Sequence, residues 1–131
     1  MHPRDYLFAA ETTAEALGVR IITALPRAGH WAHYEHARRT ITLHPGLSAL
    51  QRDWALWHEL GHAAHGHTTS SPHNEREADT WAVQHMFRLE DLRAAIRPGL
   101  TAQEIAVNLG VYPAAVDALM AAHRRSLGLA S

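Results

Sequence analysis

The stretch that most narrows what this chain can fold into is residues 54–67, WALWHELGHAAHGH, which carries His58, Glu59 and His62 in an HExxH arrangement. Residues four apart lie on one face of an α-helix, about one turn from each other. On a helix, therefore, the two imidazoles converge on a single Zn²⁺ ion and Glu59 stands beside its open position. The chain has to build a helix here. Two nitrogen ligands are one short of the three protein ligands a catalytic zinc holds, so a third must arrive from another element. With no cysteine in the sequence, histidine or a carboxylate has to supply it.

Around that stretch the periodicity alternates between helix and strand. Tyr6, Leu7, Ala10, Ala14 and Leu17 recur at helical spacing and Gly18 follows, which predicts a first helix over 4–17. Residues 19–25 (VRIITAL), 30–36 and 40–44 (TITLH) read as strands, the last two paired across 37–39, so a small antiparallel sheet is expected. Ser48 and Gln51 form a capping box that starts the metal helix, predicted over 49–65 with Leu50, Trp54, Trp57 and Gly61 as its apolar stripe. Gly61 costs about 1 kcal/mol relative to Ala inside a helix, so another backbone is expected to press against it. After a loop at 66–71, Ser71-Pro72 opens a second helix predicted to run to about 89. Residues 92–96, 101–109 and 113–127 continue as helices.

The downstream acids are Glu75, Glu77 and Asp79. Glu75 and Asp79 share a face, whereas Glu77 lies about 200° around the helix from Glu75, so only one of the two glutamates can face the metal. Glu75 is taken as the third ligand and Asp79 as an acceptor that fixes a ligand imidazole's tautomer. Glu77 falls to a solvated face or a helix-terminal contact. An all-histidine site built with His65 or His67 is disfavoured, because a third histidine is wanted ten residues after His58 and position 68 is Thr.

HELGH at 58–62 followed by EREAD at 75–79, after a short sheet introduced by Val-Arg-Ile, resembles the ImmA/IrrE family of gluzincin-type metallopeptidases, over about residues 15–90. The resemblance implies His58, His62 and Glu75 as zinc ligands and Glu59 as general base. It also implies a zinc endopeptidase that cuts a cytosolic helix-turn-helix repressor at a specific site, with the repressor encoded nearby. The fold expected is α+β and zincin-like: an N-terminal helix, the small antiparallel sheet, two zinc-site helices and a helical C-terminal subdomain. Residues 1–90 would form the metallopeptidase domain and 91–131 a helix-turn-helix-like subdomain packed on it. Tyr34, Arg38 and His85 are candidates for an oxyanion or substrate contact, and the edge near 30–36 could take an extended substrate as a further strand.

Composition bounds the alternatives. Twelve Lys+Arg against 13 Asp+Glu give a formal charge of -1, so no basic field recruits nucleic acid or an anionic membrane. Residues 100–123 read as a helix-turn-helix, but 113–123 carry Asp117 and no Lys or Arg, which argues against direct DNA reading. No apolar run reaches the roughly 18 residues of a membrane span, and the expectation is a soluble cytoplasmic protein. A non-cleaving, metal-bound regulator is the alternative from another class. The intact Glu59 favours the enzyme.

Overall fold

The β-branched runs of the first half pair into one sheet in the protein's structure, a computed structural model that describes residues 3–128. The order is α1 (Pro3–Ala16), β1 (Arg20–Thr23), β2 (Ala32–Glu35), a 3-10 turn (His36–Arg38), β3 (Thr40–Leu43), α2 (Ala49–His65), α3 (Pro72–Met86), α4 (Leu89–Ala95), α5 (Ala102–Leu109) and α6 (Pro113–Ser126). The class is α+β, as expected. Tyr6 and Leu7, expected on the buried face of α1, lie outside the residues whose side chains are described. Ala10 and Ala14 of the same stripe are buried.

The sheet is not wholly antiparallel. Its order is β1-β3-β2, with β2 antiparallel to β3 as expected (Ala32↔Leu43 to Glu35↔Thr40) but β1 parallel to β3 (Arg20↔Thr40 to Thr23↔Leu43). Burial explains the arrangement. All four residues of β3 are buried, so that strand takes the centre, while β1 is largely exposed and sits at an edge. Arg39, in the left-handed region at φ 46° and ψ 50°, completes the turn between β2 and β3.

Helix α2 runs through the middle of the molecule, in contact with α1, β2, β3 and α3. Ser48 and Gln51 form the expected capping box at its start. Its buried stripe is Leu56, Trp57, Leu60 and Ala63, whereas Leu50, expected inside, is 37% exposed. The stripe broadens because the helix centre is covered from several sides, and each large apolar side chain there contributes roughly 1.5–3 kcal/mol. At Gly61 the expected close approach is present: a Cβ would lie 2.5 Å from the carbonyl oxygen of Ala78. Helix α3 begins at Ser71-Pro72 as predicted but ends at Met86, because Phe87 turns extended (φ -115°, ψ 140°). Helix α6 packs back on α3 and α5, and Arg125 donates to the Thr80 hydroxyl at 2.7 Å. Among the described residues no single helix is long and apolar enough to cross a membrane.

Candidate metal centre

The Gly61–Ala78 contact lets α3 lie close against the histidine face of α2. Glu75, Ala78, Asp79 and Ala82 form one stripe on α3, spaced i, i+3, i+4, i+7, and that stripe faces the metal helix. His62 Nε2 is 2.5 Å from Glu75 Oε2, His58 Nε2 is 3.3 Å from the same oxygen, and the two Nε2 atoms are 3.2 Å apart. His58 turns its other nitrogen, Nδ1, to Asp79 Oδ1 at 2.7 Å. Glu59 is buried beside them, with Oε2 4.0 Å from His58 Nε2. His58, Glu59 and His62 offer ligand atoms that all lie within 4.8 Å of one another.

The donor set fits a metal ion. Glu75 Oε2 is buried yet accepts no aligned hydrogen bond, although two imidazole nitrogens stand next to it. Crowded on one point, the two Nε2 atoms and the carboxylate oxygen leave more lone pairs facing one another than a single imidazole proton can satisfy, and a cation in its place satisfies all three. Separations of 3.2 and 3.3 Å are spans that a tetrahedral ion with bonds of about 2.0–2.2 Å bridges, and the His62–Glu75 pair is tighter.

The electrostatics differ from residue to residue. Burial alone would push His58 down, but Asp79, Glu75 and the charge of Glu59 override it and raise its pKa to about 10. Burial pushes His62 down to about 4, helped by the neighbouring His58. Burial raises the Glu59 carboxyl to about 7, against the attraction of His58 and with the repulsion of Glu75. Glu75 is held below the ordinary carboxylate range, chiefly by His58.

The centre opens into a cleft of about 610 Å³ between the loop before β2 and α6. Trp31 and His30 line one side and Ala114, Asp117, Ala118 and Ala121 the other. The walls meet where Trp31 stacks edge-on against Tyr112, ring centroids 5.3 Å apart. Of the three substrate-contact candidates, Tyr34 lies nearest: it is buried, lines a small recess with Glu59, His62 and Glu75, and its hydroxyl is 2.9 Å from His36 Nδ1. Arg38 is not brought to the centre. It lines a separate depression with Arg20 and Ile22 and reaches Glu35 at 3.9 Å. His85 also points away, stacked on Trp81 with centroids 3.9 Å apart, because ten residues after Glu75 it lies about 15 Å further along the helix.

The structure brings in residues that spacing had set aside. Glu77 is not merely solvated: His67 Nε2 lies 3.0 Å from its Oε1, His73 3.4 Å and His65 3.9 Å. His67 in turn sets its Nδ1 3.0 Å from His62 Nδ1. The readable signal was Gly66 after His65, a C-terminal glycine that folds the chain back over the last turn of α2. The α6 wall of the cleft had no such signal, since its alanines read only as helix packing.

Among curated proteins and solved structures, none matches this chain. The peptidase family described as the IrrE N-terminal-like domain matches residues 14–120, a span that holds α2, α3 and most of α6. The match carries a metallopeptidase-type function, and the chain belongs to the IrrE N-terminal-like domain family of peptidases.

Proposed function

We propose that the protein is a zinc endopeptidase in which His58, His62 and Glu75 hold the ion, Glu59 is the general base and Asp79 orients His58. The observation that carries this reading is the convergence of His58 Nε2, His62 Nε2 and Glu75 Oε2 beside a buried Glu59 at the floor of an open cleft. Zinc, when bound, supplies Lewis acidity that polarises the scissile carbonyl and acidifies water. Glu59 takes the water proton and hands it to the leaving amine, and a pKa brought up to about 7 by burial suits a group that must both accept and release a proton at neutral pH. Asp79 accepts the Nδ1 proton of His58 and so leaves Nε2 as the ligating atom. Tyr34, on the wall of the adjoining recess, is the remaining candidate to donate to the developing oxyanion.

The substrate we infer is a cytoplasmic helix-turn-helix repressor encoded beside this protein, presented as an extended segment. An open cleft of about 610 Å³ supports a polypeptide substrate over a small metabolite. Co-incubation with such a repressor, with and without chelator, followed by mass measurement of fragments, tests the reading. Cleavage at one bond that stops with chelator and in Glu59→Gln, while that variant still binds zinc, is the expected result. Cleavage by zinc-loaded Glu59→Gln would sink it.

A further inference from the structure

We propose that His67 and Glu77 orient His62 in the way Asp79 orients His58, through a hydrogen-bonded relay from Glu77 to His67 to His62. The inference rests on the reading of His62 as a metal ligand. Each ligand imidazole then has its own supporting acid, one reached directly and one through a second imidazole.

The backbone sets the relay up. Gly66 adopts φ 67° and ψ 32°, and the His67 amide donates to the His62 carbonyl at 3.0 Å, which returns the His67 side chain over the last turn of α2. There its ring is 9% exposed and stacks on His65, with centroids 5.0 Å apart and planes 12° apart. His65 is itself held, its Nδ1 2.7 Å from the Gly61 carbonyl oxygen. His67 Nδ1 lies 3.0 Å from His62 Nδ1 and its Nε2 3.0 Å from Glu77 Oε1.

Proton bookkeeping fixes the direction. With His62 Nε2 on the metal, its only proton is on Nδ1, and among the described residues the acceptor that faces it is His67 Nδ1, 3.0 Å away. His67 must then carry its own proton on Nε2, where the Glu77 carboxylate accepts it. All three groups agree on one arrangement. A carboxylate at the far end strengthens His62 as a donor to the metal and holds its ring plane. His67 and Glu77 are positioning residues: they act through His62 and supply no ligand to the metal.

The test compares the zinc affinity of wild type, His67→Phe, Glu77→Ala, Glu77→Gln and the His67→Phe/Glu77→Ala double variant, measured by competition with a chromogenic chelator. His67→Phe should weaken zinc binding by about 10–100-fold and Glu77→Ala by less. Glu77→Gln keeps an acceptor and should recover part of that loss, and the double variant should be no worse than His67→Phe. Nitrogen-15 spectra of the zinc-loaded wild type should show the His67 proton on Nε2. Undiminished affinity in His67→Phe or Glu77→Ala, or a His67 proton on Nδ1, overturns the relay alone. A wild type that takes up no zinc overturns the metal reading and the relay with it. Glu77 is 38% exposed, so Glu77→Ala keeps the test decisive even if His67→Phe fails to fold.

Discussion

His58 and His62 are one turn apart on the same helix and titrate in opposite directions, to about 10 and about 4. Burial pushes both down: at His58 the hydrogen bonds to Asp79 and Glu75 override it, while at His62 the neighbouring cationic His58 adds to it and outweighs the pull of Glu75. In the metal-free protein at neutral pH, His58 is therefore protonated and His62 is not. Metal binding has to displace the His58 Nε2 proton. Zinc binding should release about one proton at pH 7.5 in calorimetry across buffers of different ionisation enthalpy, and affinity should rise roughly tenfold per pH unit from 7 to 9. A pH-independent affinity over that range would contradict the assignment. Asp53, on the same helix, makes a second residue-scale prediction. It is 6% exposed, its Oδ1 has no hydrogen-bond partner, and burial raises its carboxyl to about 7 against the pull of Arg52. An acid with a raised folded pKa stabilises least when ionised: the unfolded chain loses its proton near pH 4 while the folded one holds it to about 7. Stability from this group thus falls as pH rises between those values, by up to about 4 kcal/mol. The stability difference between Asp53→Asn and wild type should shift in favour of the variant from pH 4 to 7 and level off above. A flat difference in chemical denaturation would refute it.

At the scale of elements, the contact between α2 and α3 decides whether a metal centre exists at all. Gly61 has no side chain where the Ala78 carbonyl passes, and both neighbouring pairs, His58 with Asp79 and His62 with Glu75, depend on that approach. Gly61→Ala gains about 1 kcal/mol of helix propensity, but its Cβ would meet backbone atoms at 2.5–3.0 Å, which only movement of α3 can relieve. The expected outcome is a net loss of about 1–3 kcal/mol together with at least tenfold weaker zinc binding. A variant more stable than wild type with unchanged affinity would show the approach to be dispensable. This contact was legible in the sequence, because a glycine in mid-helix between His58 and His62 has few other reasons to be there. The Glu75–Asp79 face was legible for the same reason: one element's periodicity determines it. The pairing of β1 with β3 was not, since parallel order depends on which strand the core covers most. Nor was Glu77's role, because its partner His67 reaches it only through the left-handed turn at Gly66.

The whole molecule adds a wall that no motif announced. Helices α4, α5 and α6 contribute Ala95, Ile105, Leu109 and Val116 to the same core as Leu56 and Ile41, and α6 is tied to α3 through Arg125 and Thr80. The helix that had resembled a recognition helix thereby turns Ala114, Asp117, Ala118 and Ala121 toward the metal cleft. Small side chains along this wall leave room for a substrate backbone and its side chains between α6 and Trp31. Ala121 is half-buried and distant in sequence from His58, His62 and Glu75, so a larger residue there should narrow the cleft without disturbing the centre. Ala121→Trp should lower cleavage of a protein substrate at least tenfold while zinc affinity and thermal midpoint stay close to wild type. Measured beside Glu59→Gln, it separates access from chemistry: Glu59→Gln should abolish turnover with substrate binding kept, whereas Ala121→Trp should weaken substrate binding with the chemical step intact. Unchanged cleavage by Ala121→Trp would mean that the substrate enters along the Tyr34 recess instead, and α6 would then serve only to brace α3.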